Sequence, residues 1–234
     1  MTLSKFFCET SASLTTKRAR RKEARPGELL QAALDLFVEQ GFAGTRMEEV
    51  AARAGVSKGT VFLYFASKEE LFKAVVRHNI SGRFSEWNAE FERFEGSSAD
   101  MLRYCMQAWW DRVGATQASG ISKLMISEGR NFPEIAAFYQ HEVIEPGLQL
   151  IRRVLQRGVD RNEFRTMDLN CAAYGVVAAM MFLILSKHSI VMSRKEDMNL
   201  DPSSYIACQA DILLRGLSAG AHASDTPANG GNAA

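Results

Sequence analysis

Helix-breaking residues are scarce in this chain, with 5 prolines and 17 glycines among 234 residues, so long helices can run uninterrupted. Its four cysteines, Cys8, Cys105, Cys171 and Cys208, lie far apart and form no CxxC pair. That spacing indicates neither a disulfide framework nor a zinc site. The four histidines, His78, His141, His188 and His222, do not cluster at ligand spacing, and HExxH and the phosphate-loop spacing are missing. No metal and no cofactor are expected, and an enzyme is disfavoured. The N-terminus has no continuous apolar stretch of signal-peptide length, which makes a reduced cytoplasmic protein the default. No alternating strand pattern and no internal repeat are visible.

What remains is an ordinary globular composition, 47% hydrophobic and 24% charged, long enough for one large domain or two small ones. The net charge is only +1, but it is unevenly distributed. Residues 1–80 carry 13 basic and 9 acidic side chains, the rest 15 and 18. Lys17, Arg18, Arg20, Arg21, Lys22 and Arg25 form a basic arm opposed only by Glu23, which points to an anionic partner. Between Asp168 and Lys187 no charge occurs, in a run of about 18 residues at the lower edge of a membrane span. Its Ala, Gly and Met content, and Asn170 and Tyr174 within it, favour a helix buried in protein over a membrane span.

The periodicity is helical almost throughout, so an all-α fold is expected. Leu29, Leu30, Ala33, Leu34, Phe37 and Val38 share one helix face, with Pro26 in the first turn and Gly41 as the stop. Thr45-Arg46-Met47-Glu48 has the form of a capping box, Gly55 ends that helix, and Ser57 caps a short third helix. Ser67-Lys68-Glu69-Glu70 is a second capping box. Further helices are expected near 99–115, 119–129, 132–159, 168–190 and 202–217, with Pro146 kinking or splitting the third of these near Glu145.

Residues 45–65 read as helix, glycine turn and short helix, the sequence form of a helix-turn-helix. Ala51 and Ala54 allow close helix approach, Val56 fills the angle, and the second helix opens with Ser57, Lys58, Gly59 and Thr60. Such an N-terminus suits phosphates and base edges in a major groove.

The run GVSKGTVFLYFASKEELF at 55–72, with LLQAALDLFVEQGFAGTRMEEVAARA at 29–54, resembles the N-terminal signature of the TetR family of transcriptional regulators. Residues 127–165 also resemble the ligand-binding domain of one group in that family. The resemblance implies a homodimer of all-helical subunits that reads a palindromic operator in duplex DNA, most often as a repressor. It implies DNA contacts from Arg46, Ser57, Lys58, Gly59, Thr60, Tyr64 and Lys68, the last to a phosphate. Phe62 and Leu63 depart from the commonest pattern. Phe62 cannot donate to phosphate, while Leu63 can touch a thymine methyl. The arm residues Lys17, Arg18, Arg20, Arg21 and Lys22 are expected to follow the phosphate backbone.

The second half is rich in Met and aromatic residues. Tyr104, Met106, Trp109, Trp110, Met125, Phe138 and His141 are the candidates to line a cavity for a small apolar or aromatic effector. Trp109 and Trp110 are about 100° apart on a helix and cannot both face it. Ala172, Gly175, Ala179, Leu183, Ile206 and Leu213 are the candidates for a dimer interface. The expected division is a basic arm over 1–25, a DNA-binding domain over 26–72, a ligand-binding and dimerisation domain over 73–218, and a tail over 219–234. The rival reading is a helical protein–protein interaction module that does not bind DNA.

Overall fold

A computed structural model describes residues 8–188 and 200–218, with side chains from Pro26 onward. Its helices are α1 (Cys8–Gly44), α2 (Met47–Arg53), α3 (Lys58–Tyr64), α4 (Lys68–Asn79), α5 (Phe84–Arg93), α6 (Ser98–Trp109), α7 (Ser119–Glu128), α8 (Pro133–Tyr139), α9 (Glu145–Asp160), α10 (Leu169–His188) and α11 (Pro202–Leu217). A 3₁₀ turn at Ser81–Arg83 and π-helical turns at Trp110–Gly114 and Gln140–Ile144 join some of them. Among the described residues no strand forms, and a single bridge ties Phe164 to Ser218. The fold is all-α, with the helix-turn-helix at its N-terminal end.

Local chemistry accounts for the boundaries. The regular course of α1 breaks at Gly41, whose φ of +78° suits glycine. The helix starts upstream of the position expected from Pro26, which lies inside it. The side chains of Lys17, Arg18, Arg20, Arg21 and Lys22 lie outside the described residues, as does the whole 219–234 tail. The capping box of α2 sits one residue later than expected. Thr45 is buried and spends its hydroxyl on the Gly41 carbonyl at 2.7 Å, so Arg46 becomes the N-cap. The Arg46 N–H then donates to Glu49 Oε2 at 3.2 Å, leaving Glu48 outside the cap. Ser57 and Ser67 cap α3 and α4 as expected, and Asp201 caps α11, each accepting from the N–H three residues on. The chain also divides near Glu145. A π turn precedes α9, which places Pro146 in its first turn, where a missing N–H costs little.

Two clusters fill the interior. The first joins α1–α4 to α7 and α8, through Leu29, Phe37, Phe42, Val61, Phe72, Ile121 and Ile135. Phe37, Phe42 and Phe72 form a triangle of rings with centroids 5.2–5.7 Å apart, within the range of favourable aromatic contacts. The second joins α6, α9, α10 and α11 through Met101, Leu102, Trp110, Leu155, Met180 and Leu214. Trp109 packs against both. Helix α10 is long and apolar enough to cross a membrane by length and composition. Its Ala173, Val176, Met180, Leu183 and Ile184 are instead buried as part of the protein interior.

Candidate DNA interface and effector cavity

Gly55 makes the turn between α2 and α3 with φ +65°, a left-handed conformation that a side chain would strain. The Val56 N–H returns to the Ala51 carbonyl at 2.9 Å, and Val56 packs against the first core cluster. Ser57 Oγ accepts from the Thr60 N–H at 3.2 Å and shares a hydrogen bond with the Thr60 hydroxyl at 2.9 Å. Val61 is fully buried, which anchors α3 by one face. The opposite face presents Lys58, Gly59, Phe62 and Leu63 to solvent, and Leu63 is 78% exposed. Lys58 Nζ lies 2.5 Å from Glu48 Oε1 and 5.7 Å from the centre of the Phe62 ring. The hydrogen bond from Lys58 holds the Glu48 carboxyl below its ordinary range. Both partners are more than half exposed, so this pair contributes little to stability.

Arg46 is exposed at the start of α2, near this face, while Tyr64 is half-buried beside Phe65. Lys68 is used differently from the expectation of a phosphate contact. Its ammonium donates to the carbonyls of Phe42, Ala43 and Thr45 at 2.7, 3.3 and 3.0 Å and lies 4.5 Å from the centre of the Phe42 ring. Those three carbonyls take up its three donors, so Lys68 fastens the α1–α2 turn.

In the body, α5, α6, α7, α9 and α10 line a partly open cavity of about 410 Å³, within the usual size range of small-molecule sites. Phe84, Trp87 and Phe91 line it from α5 and Phe94 from just past that helix, Ser122, Met125 and Ile126 from α7, and Val176 and Met180 from α10. Tyr139 and Ser122 hydrogen-bond at 2.8 Å in its wall, and burial pushes the Tyr139 hydroxyl up to about 12. Burial, followed by the nearby Glu90 charge, pushes the Cys105 thiol up to about 11. Both groups stay neutral at physiological pH. Trp87 Nε1 is buried without a hydrogen-bond partner.

Helix α7 reaches from this cavity to the helix-turn-helix. At its C-terminal end Glu128 Oε2 accepts from the Ala43 N–H at 3.1 Å. A Cβ on Gly41 would come within 2.1 Å of the other Glu128 oxygen, so the closeness of this contact depends on glycine. Phe132 stacks edge-on against Phe42 with centroids 4.8 Å apart.

The profile of the tetR family of bacterial regulatory proteins matches residues 29–75, and that of the C-terminal domain of AefR-like transcriptional repressors matches residues 100–203. The HTH-type transcriptional repressor NicS of Pseudomonas putida is 30% identical over 222 residues, covering 87% of this chain and 97% of that protein. The chain belongs to the TetR family. It is a DNA-binding transcriptional regulator, as are the relatives it matches. The HTH-type transcriptional regulator RutR of Escherichia coli is 51% identical over 63 residues, 27% of this chain and 30% of that protein. The fold is shared with the fatty acid degradation regulator FadR of Bacillus halodurans, with a TM-score of 0.65, 20% identity, and 81% and 94% of the two chains covered.

Within this TetR-family regulator the structure sorts the expected cavity residues. Tyr104, Met106, Trp109 and Met125 line the cavity. Trp110 does not, because the π turn starting at that residue sends it into the second core cluster. Phe138 faces away, under the ammonium of Lys73 and the guanidinium of Arg77 at 5.9 and 4.9 Å. His141 is an exposed side chain 3.4 Å from Glu145. The α5 wall was missed from the sequence, although Phe84, Trp87, Phe91 and Phe94 recur at helical spacing.

The expected dimer residues are sorted as well. Ala179, Leu183 and Ile206 are buried in the subunit's own interior, Ala172 and Leu213 are half-buried against it, and Gly175 is exposed. The outward apolar face of α10 is Tyr174, Ala178, Phe182 and Leu185, one helical stripe, and α11 adds Ile212, 56% exposed. Helix α10 is apolar on every side, so its sequence does not reveal which stripe turns inward.

Proposed function

We propose that this regulator acts as a cytoplasmic, nucleoid-associated repressor that binds a palindromic operator as a homodimer and is released by a small, mainly apolar effector in the body cavity. Arg46, the cap residue Ser57 and the α3 residues Lys58, Gly59, Thr60, Phe62, Leu63 and Tyr64 face the major groove. The arm residues Lys17, Arg18, Arg20, Arg21 and Lys22 neutralise phosphates without reading sequence. Lys68 positions the turn that carries Arg46. Tyr174, Phe182, Leu185 and Ile212 meet their counterparts across a two-fold axis, which sets the two α3 helices about 34–36 Å apart or a multiple of it.

The observation that carries this reading is the double engagement of α7, whose Ser122, Met125 and Ile126 line the cavity while its Glu128 holds the Ala43 N–H beside α2. An effector that shifts α7 therefore moves the support of the DNA-reading turn. Release follows to the extent that the effector prefers the displaced arrangement. A hundredfold loss of operator affinity corresponds to about 2.7 kcal/mol of coupling, within the usual range. Selection from a random DNA pool, followed by sedimentation of the complex, tests the proposal. A palindrome bound by two or four subunits is the expected result. A protein that is monomeric at micromolar concentration and shows no DNA preference would overturn it.

A further inference from the structure

The charge lining the cavity is of one sign. Among its lining residues Glu90 is the single acidic side chain, and no Lys, Arg or His joins it. The Glu90 carboxylate accepts from the Tyr104 hydroxyl at 2.9 Å and pairs with Arg112 Nη1 at 2.9 Å. Arg112 has a second carboxylate within reach, Glu86 at 3.9 Å, which is 55% exposed. The three groups Glu86, Glu90 and Arg112 together carry one negative charge. Two other guanidiniums stand near the cavity wall, over the Phe91 and Phe94 rings. Both are committed elsewhere, Arg153 to Asn88 and Glu92, Arg157 to Ser98 and the Gly96 carbonyl.

Building on the reading of the cavity as the effector site, we infer that it selects lipophilic cations, with Glu90 as the counter-ion and the aromatic walls as the bed for an alkylammonium or similar head. A cation displaces Arg112 from Glu90, and Arg112 moves to Glu86, so no charge is left unpaired. Aromatic faces favour cations and disfavour anions. A carboxylate or phosphate ligand has no cation to meet in this cavity and would be desolvated beside Glu90, which is unfavourable on both counts.

Three probes of equal chain length decide the matter, namely decyltrimethylammonium, decanol and decanoate, the two ions kept below their micellar range and the alcohol below its solubility limit. Binding is read from the fluorescence of Trp87 and Trp109, which line the cavity. The ammonium probe is expected to bind at least about tenfold more tightly than the alcohol, and the carboxylate more weakly than either. Glu90→Gln should cut the ammonium-to-alcohol affinity ratio by about tenfold, whereas Glu145→Gln, a carboxylate outside the cavity, should leave that ratio unchanged. Alcohol binding with no preference for the ammonium, or decanoate binding as tightly as the ammonium, overturns the charge selection while the effector cavity stands. Failure of all three to bind overturns both.

Discussion

In the DNA-reading end, α1–α4 close around Phe37, Phe42 and Phe72, each at most 1% exposed. In the body, side chains of the same kind, Phe84, Phe91, Phe94 and Trp109, surround about 410 Å³ of unfilled space. A filled core fixes α3 at one angle, as groove reading requires. An unfilled one leaves its walls short of contacts and able to adjust to a guest. Substitutions in the two regions should therefore differ in cost. Phe72→Ala removes one corner of the ring triangle and should destabilise the protein by about 3–5 kcal/mol. Trp109→Ala gives up packing against both clusters but opens into a space that already exists, and should cost less, about half as much. Urea unfolding midpoints with unchanged slopes would check this, and equal losses would mean that the body is packed as tightly as the head.

The two faces of α10 give a second contrast. Its inward face belongs to the subunit, whereas Phe182 is 39% exposed and stacks near Tyr205 at 5.6 Å. Phe182→Arg should leave the subunit folded, turn dimer into monomer in sedimentation, and lower operator affinity by at least about a hundredfold, or ~2.7 kcal/mol. Retention of the dimer would place the interface elsewhere.

Legibility in the sequence follows the same division. The helix-turn-helix could be read because backbone geometry demands particular residues there, Gly55 for a left-handed turn and Ser57 and Ser67 for caps. The Arg46 cap was misplaced by one residue, because burial of Thr45 is a tertiary fact. In the body, helix positions other than α5 were legible but helix rotations were not. Trp110, Phe138 and His141 turned away from the cavity because of the π turns and cation contacts that orient them. Glu90 went unnoticed because one carboxylate on an amphipathic helix looks like solvated surface until Tyr104 and Arg112 are seen beside it.

Smaller effects probe the head itself. Ser57→Ala removes the cap that accepts from Thr60 and should cost about 1 kcal/mol. It should weaken operator binding more than random-duplex binding, because α3 frays at the end that reads bases. Equal weakening on both DNAs would place α3 outside the specific contacts. Glu48→Gln should leave the unfolding midpoint where it is, since the pair with Lys58 is solvent-exposed. It frees Lys58 and removes a negative charge from the DNA face, so operator binding should tighten, most clearly at low salt. No change in affinity would mean that Lys58 does not reach DNA.

The link through α7 is tested most directly by operator affinity with and without the tightest-binding decyl probe, in the native protein and in Glu128→Ala. The native protein should lose operator affinity within the ordinary range of coupling, about 5–150-fold, when the probe is bound. In Glu128→Ala, where the Ala43 N–H has lost its acceptor, the probe should still bind, and its effect on operator affinity should shrink to about threefold or less. Undiminished coupling in that variant would contradict transmission through this contact.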